Sequence, residues 1–363
     1  MSVIRTPPGA RWDCHACGDC CRLYDLGPVE PAIIRGLQDR KIEDHWAPAK
    51  DAPWYEIRRA PDGREVFFLT HRNGQCVFLK DDNLCAVHGL FGSEAKPAFC
   101  REFPFHVLDD PRGTVAVVRP SCTSAHLGVA GGTPVAEQAA AAVALPRVMG
   151  RRRWAPAEVG VLPDAALPIE AWMDLEARVI AAITDDGEPE AQIAALRGTL
   201  FAAVGRAPGP GDAHRARMAC GAVIEALRRL MDRAANDPDP RAEAHRVAFA
   251  RAMRDLLVAA LGGMAAPRPL APDGRAYLAQ VLRTFLLAKG QAPIGSVAEG
   301  LGAFLVEVAV VRGAAPGEGP IDAKGVGAVV AKWSKLTDNP AIAGVLRMAR
   351  PALYDAFLNV ETS

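Results

Sequence analysis

The string Cys14-His15-Ala16-Cys17-Gly18-Asp19-Cys20-Cys21 decides how the first third of this chain is built. Two residues between successive cysteines let a backbone wrap around a metal and turn each thiolate inward. The doubled Cys-x2-Cys-x2-Cys spacing matches the opening of the bacterial ferredoxin run. Gly18 and Asp19 suit the tight turn that such a wrap requires. Ferredoxins continue with three residues, a fourth cysteine and a proline, whereas here Cys21 follows at once. The remaining ligands must therefore come from downstream, where Cys76, Cys85, Cys100 and Cys122 are available.

Neighbouring side chains generally diverge, so Cys20 and Cys21 are expected to serve different centres, or one of them to cap the other's. Eight cysteines, Cys14, Cys17, Cys20, Cys21, Cys76, Cys85, Cys100 and Cys122, make two complete sets of four. That count is compatible with two four-cysteine clusters, two zinc sites, or one cluster beside a structural zinc, and it does not choose among them. Only Cys220 lies outside this segment, in a helical pattern beside Ala219 and Ala222, where a buried core thiol is expected.

The rest of the composition bounds this reading. The chain has 363 residues, enough for two domains, and 42 Lys plus Arg balance 42 Asp plus Glu. Zero net charge removes the usual electrostatic reason to expect nucleic-acid or anionic-membrane binding. No run of ~18 apolar residues occurs and Met1–Trp12 is not an apolar leader, so the expectation is a cytoplasmic chain that does not span a membrane. In that compartment structural disulfides are rare, and clustered cysteines read as metal ligands instead.

The predicted fold class is α+β, with a cysteine-cluster domain at residues 1–130 and an α-helical domain at 131–363. In the first, Glu65–His71 and Gln75–Leu79 read as strands around the hairpin signal Asn73-Gly74, and a second turn at Asp81-Asp82-Asn83 places Cys76 and Cys85 on opposite sides of a reversal. A helical turn opens at Ser93-Glu94, and Thr114–Val118 reads as the last strand before Cys122. After Gly131-Gly132-Thr133-Pro134 the composition shifts to Ala, Leu and Arg. Helices are expected near 169–184, 189–204, 213–235 and 241–261, with an apolar stripe through Tyr277, Val281 and Phe285. Ser296-x-x-Glu299 reads as a capping box opening another helix.

The Cys14–Cys21 string, Cys76-x8-Cys85-x2-His88, Lys96-Pro97-x-x-Cys100-x-x-Phe103-Pro104 and Pro120-Ser121-Cys122 together resemble the CxxCxxCC, or YkgJ-type, cysteine-cluster family over residues 11 to 125. The resemblance implies zinc or iron chelation, with an iron–sulfur centre, 4Fe–4S in type, or zinc as the cofactor. Lys96 stands where the family usually has Arg, which keeps the charge but loses the bidentate fork. Some longer members are similar to flagellin lysine-N-methylases. They imply a second reading, a protein-lysine N-methyltransferase that uses S-adenosylmethionine on a flagellin-like protein substrate. No methyltransferase signature is legible after residue 130: Gly300-Leu-Gly302 and Gly325-Val-Gly327 follow no predicted strand and read as packing glycines. The competing class is a metal module for electron transfer, sensing or structure, with a protein partner docked on the helical region.

Other residues carry weaker signals. His88 is a candidate ligand or hydrogen-bond donor to cluster sulfur. His15 is expected to face solvent, while His71 and His106 have no recommending spacing. Arg22 and Arg101 each follow a cysteine. Arg151-Arg152-Arg153-Trp154 reads as a solvated basic run. No hydrolytic triad, phosphate loop or HExxH helix is present.

Overall fold

The computed structural model of the chain describes residues 4–22, 24, 26–60, 63–145, 152–236 and 244–361. Arg151 of the basic run and residues 241–243 of one expected helix lie outside the described residues. The fold is α+β: short strands dominate the N-terminal region and helices the remainder.

The segment that organises the molecule is the hairpin Phe105–Asp110 and Gly113–Val118. Its strands pair antiparallel from Phe105 opposite Val118 to Asp110 opposite Gly113. Gly113 takes a φ of 125° just past the Pro111-Arg112 turn, a conformation that side chains disfavour. Strand Ile4–Arg5 joins one edge and Arg152–Arg153 the other, both in parallel, completing a four-stranded sheet. Val107, Leu108, Val115, Ala116 and Val117 are all buried, so consecutive residues meet core on both faces of the sheet. Helix Val135–Ala144 packs against the hairpin, and helix Pro272–Leu287 packs against its second strand.

Two hydrophobic clusters result. The smaller is built from residues between Leu26 and Ala95 around Trp54 and Phe78. The larger runs from Trp12 through the hairpin to Val360 and takes residues from both sides of position 130. Helices Ile169–Ala182, Pro189–Ala203, Ala213–Ala235, Ala244–Gly263, Val297–Ala314 and Ala323–Thr337 supply most of it. The capping box is present as read: Ser296 Oγ accepts from the Glu299 amide and the Glu299 carboxylate accepts from the Ser296 amide at 2.6 Å.

Two expectations are corrected. Strand Glu65–Leu69 pairs with Tyr55–Arg59, where Tyr55 and Phe67 bring their rings to 5.8 Å, instead of with the segment after Asn73-Gly74. The Asn73-Gly74 turn closes only the two-residue hairpin His71–Arg72 with Gln75–Cys76, because Val77, Phe78 and Leu79 turn inward to fill the small core. The region after 130 also contains a hairpin, Glu158–Leu162 with Ala165–Pro168, whose Val159, Val161 and Leu162 are buried in the larger core.

A buried ion network fastens the sheet to the helices. Lys289 is fully buried, with Nζ at 2.5 and 2.6 Å from the two Glu176 oxygens, 3.3 Å from Asp110 and 4.9 Å over the Trp154 ring. Arg5 pairs with Asp110 from the first strand. Burial outweighs these attractions at Glu176 and holds its carboxyl above the usual range. Removing one partner of such a network leaves buried charge uncompensated, which costs about 3–5 kcal/mol. Lys289→Met is therefore expected to lower stability by about that amount in urea denaturation, and a change below about 1 kcal/mol would contradict the network's role.

Candidate metal centre

The two hairpin ends and two turns bring the cysteines together. The amide of Arg119 donates to the Pro104 carbonyl at 2.8 Å, closing the base of the central hairpin. Cys100, on the short helix Ala98–Glu102 that enters the hairpin, thereby lines the same cavity as Cys122 beyond its exit. Cys76 and Cys85 flank the reversal predicted from Asp81-Asp82-Asn83: Leu79 bridges Cys85, and Asn83 adopts the left-handed φ of 63° that the turn demands. The Cys14–Cys21 loop is held by strand Arg11–Trp12 against Thr133–Pro134 and ends in the helical turn Asp19–Cys21. Gly18 carries a φ of 73°, and a Cβ there would meet the Arg22 guanidinium at 2.4 Å. Only glycine fits this position without displacing Arg22.

Arg22 fastens that loop to the reversal, donating to the Cys17 carbonyl at 2.9 Å and to Asn83 Oδ1 at 2.5 Å. A second tie runs to the hairpin exit: Thr123 Oγ1 donates to Asp19 at 2.7 Å and lies 3.4 Å from Cys17 Sγ. Tyr24 donates its hydroxyl hydrogen to the Ser121 carbonyl at 3.1 Å.

All eight predicted cysteines line one of two adjoining cavities. Cys20, Cys21, Cys76, Cys85 and Cys100 line a space of about 230 Å³ against the small core. Cys14, Cys17 and Cys122 line a larger, outer space of about 620 Å³, to which Cys20, Cys21, Cys85 and Cys100 also contribute. None of the nine cysteines is in a disulfide. Cys76 is buried and its sulfur accepts from the Phe78 amide at 3.4 Å; Cys14 and Cys17 are exposed. As the side chains lie, no group of three or more His, Cys, Asp or Glu among the described residues is arranged to hold a metal ion. The thiols converge on a shared space instead of a point.

Cys20 and Cys21 do not diverge as expected. The tight Asp19–Cys21 turn places their sulfurs 3.9 Å apart. The Cys21 thiol hydrogen-bonds Cys20, drawing Cys20 down to about 7 and pushing Cys21 up. Burial raises Cys76 to about 12 and raises Cys100 and Cys122 as well. Without metal, Cys21, Cys76, Cys100 and Cys122 hold their protons, and a bound metal must displace them.

Residues 13–123 match the CxxCxxCC family, described as a "putative zinc- or iron-chelating domain". The match covers less than a third of the chain and takes in every one of the eight clustered cysteines. No curated protein and no solved structure matches the chain. The family match supports zinc or iron chelation by this segment, whose eight clustered thiols line two adjoining cavities.

The remaining predicted residues fall as follows. His88 lines the outer cavity and His15 is exposed. Lys96 lines both cavities and sits close enough to lower Cys20 and Cys100 electrostatically. Arg101, largely buried in the lining of the outer cavity, pairs with the exposed Glu94 at 2.5 Å. Cys220 is buried in helix Ala213–Ala235, where burial raises it to about 12. Gly302 and Gly327 lie inside helices, where a Cβ would meet the Leu353 carbonyl at 1.9 Å and the His126 ring at 2.6 Å, so both are packing glycines.

One functional neighbour carried no signal in the sequence. Lys335, on helix Ala323–Thr337, lines the outer cavity, with Nζ 5.4 Å from the centre of the Tyr24 ring. Burial lowers its ammonium, while Asp19, Cys122, Cys17 and Cys20 act in the opposite sense. A lysine on an Ala- and Val-rich helix reads as a solvated face, and only the packing of that helix brings it to the thiols. No helix among the described residues is long and apolar enough to cross a membrane.

Proposed function

We propose that the CxxCxxCC segment holds an iron–sulfur cluster, with ligands drawn from Cys20, Cys21, Cys76, Cys85 and Cys100. Cys14 and Cys17, both exposed, form with the buried Cys122 a second, outer set. The observation that carries this reading is the space of about 230 Å³ lined by five thiols. A single zinc ion is enclosed by four thiolates and needs no void, whereas a cluster brings its own iron and sulfide and must be given room. Eight thiols also exceed what one structural zinc uses. The surroundings suit a polynuclear anion: Lys96 and Lys335 face the thiols, and the Phe78 amide points at Cys76 sulfur. Such contacts set a cluster's reduction potential, so electron transfer or redox sensing is the role that follows.

One observation favours a zinc reading. A tetrahedral centre with metal–sulfur bonds near 2.3 Å has sulfur–sulfur edges of about 3.8 Å, and the Cys20–Cys21 separation is 3.9 Å. The two readings part on composition. Anaerobically purified protein is expected to be brown, to absorb in the visible and to contain iron with matching acid-labile sulfide. A colourless protein with stoichiometric zinc would overturn the cluster reading and leave the zinc site.

A further inference from the structure

Beyond the thiols, on the helical side of the central hairpin, lies a separate cavity of about 230 Å³. Its floor is the sheet at His106 and Val117, and its walls are helices Pro272–Leu287, Val297–Ala314 and Ala323–Thr337. Glu307 projects into the lining from the middle of helix Val297–Ala314. Only 6% of this residue is exposed, and its Oε1 is buried with no hydrogen-bond partner among the described residues. Around it the walls are apolar and aromatic, with Phe285, Phe304 and Trp333.

We propose that this cavity binds a small organic ammonium, whose charged head pairs with Glu307 and whose hydrocarbon body packs on Phe285, Phe304 and Trp333. A buried carboxyl without a partner is costly, and proteins retain few of them without a use. No cation of the described chain is close enough to Glu307 to pull its carboxyl down; burial alone acts on it, raising it to about 8. Tyr277, whose hydroxyl is itself buried without a partner, is near enough to feel Glu307, and His106, Arg119, Arg152 and Asp338 line the same cavity. Arg119, on the cavity wall, acts on Asp338 instead.

The chemistry of the lining selects among ligands. Only a cation gives an ionised Glu307 its counter-charge. A hard divalent cation takes six or more oxygen ligands, whereas much of this lining, Val117, Val281, Phe285, Phe304, Trp333 and Leu346, is apolar. An ammonium needs one counter-charge and a few acceptors, and it gains further attraction from aromatic faces. With its carboxyl raised by burial, Glu307 holds a proton at neutral pH. Binding then converts a carboxylic acid and an ammonium into a carboxylate–ammonium pair, and the acid's proton leaves to solvent. The bond broken is the Glu307 O–H, and no electrons are exchanged.

Isothermal titration of the full metal-loaded chain with 2-phenylethylammonium chloride at pH 7 tests this, with the neutral isostere 2-phenylethanol as comparison. The expected result is a Kd at or below about 1 mM for the ammonium and at least about tenfold weaker binding of the alcohol. Repetition in phosphate and in Tris should show about one proton released per ammonium bound. Glu307→Gln should abolish the preference for the ammonium while metal content and helix content stay unchanged. Equal affinity for the two compounds, no binding of either at about 10 mM, or a preference that survives in Glu307→Gln would each overturn the proposal. The comparison of the two compounds on the unaltered chain stands even if the variant folds poorly.

Discussion

Replacing Cys76 with serine is expected to strip the metal and unfold the small core while the helical core persists. Cys76 is buried at the meeting point of the two: its side chain packs in the cluster around Phe78, and its sulfur lines the five-thiol cavity. That cluster has 15 buried hydrophobic residues, joined by short strands and helices of few turns, and two of them, Cys76 and Val77, belong to the site's own loop. A core of this size contributes little stability alone, so ligation supplies the difference, and structural metal sites are worth about 10 kcal/mol or more. The larger core is independent of it by composition. The hairpin Phe105–Val118 packs with the helices, and the Lys289 network fastens it there. Hydrogen exchange should therefore show lost protection between residues 26 and 99 and retained protection in helices Ala213–Ala235 and Val297–Ala314. Cys220→Ser is the control and should keep its metal. Uniform loss of protection, or a Cys76→Ser protein with its full metal content, would contradict this account.

The outcome at Phe105–Val118 marks what the sequence discloses and what it does not. Thr114–Val118 is legible as a strand from its β-branched run, and Asn73-Gly74 and Asn83 are legible as turns because few residues accept a positive φ. The eight thiols are legible because a thiolate spacing states its chemistry directly, and the structure brings every one of them to the same pair of cavities. Partnership is what a local pattern cannot express. Glu65–Leu69 could pair on either side, and the choice of Tyr55–Arg59 rests on side chains ten residues away. Position 130 is a clear change in composition, yet the larger core draws on both sides of it because a sheet buried on two faces needs helices from elsewhere in the chain. Lys335 and Glu307 are the sharpest cases. Each is one charged residue on an otherwise unremarkable helix, and its meaning comes entirely from what tertiary packing sets opposite it.

Glu307 also makes a prediction about stability. In the unfolded chain its carboxyl titrates near the ordinary 4.5, and burial raises it to about 8 in the fold. Between those values the folded state binds the proton that the unfolded state has released. Stability from this group is therefore complete below about pH 4.5 and is lost progressively as pH rises toward 8. Glu307→Gln cannot ionise, so its stability relative to the unaltered chain should be flat below the lower value, climb through the interval, and level off above the upper one. At 1.36 kcal/mol per pKa unit the full climb is on the order of 5 kcal/mol. The thiols and the other acids titrate alike in both proteins and cancel in the difference, which isolates this single carboxyl. The measurement is the urea midpoint of each protein at intervals from pH 4 to 9. A difference that does not change with pH would mean that Glu307 is ionised in the fold, with a counter-charge or water beside it that relieves its burial, and the case for an ammonium in its cavity would fall with it.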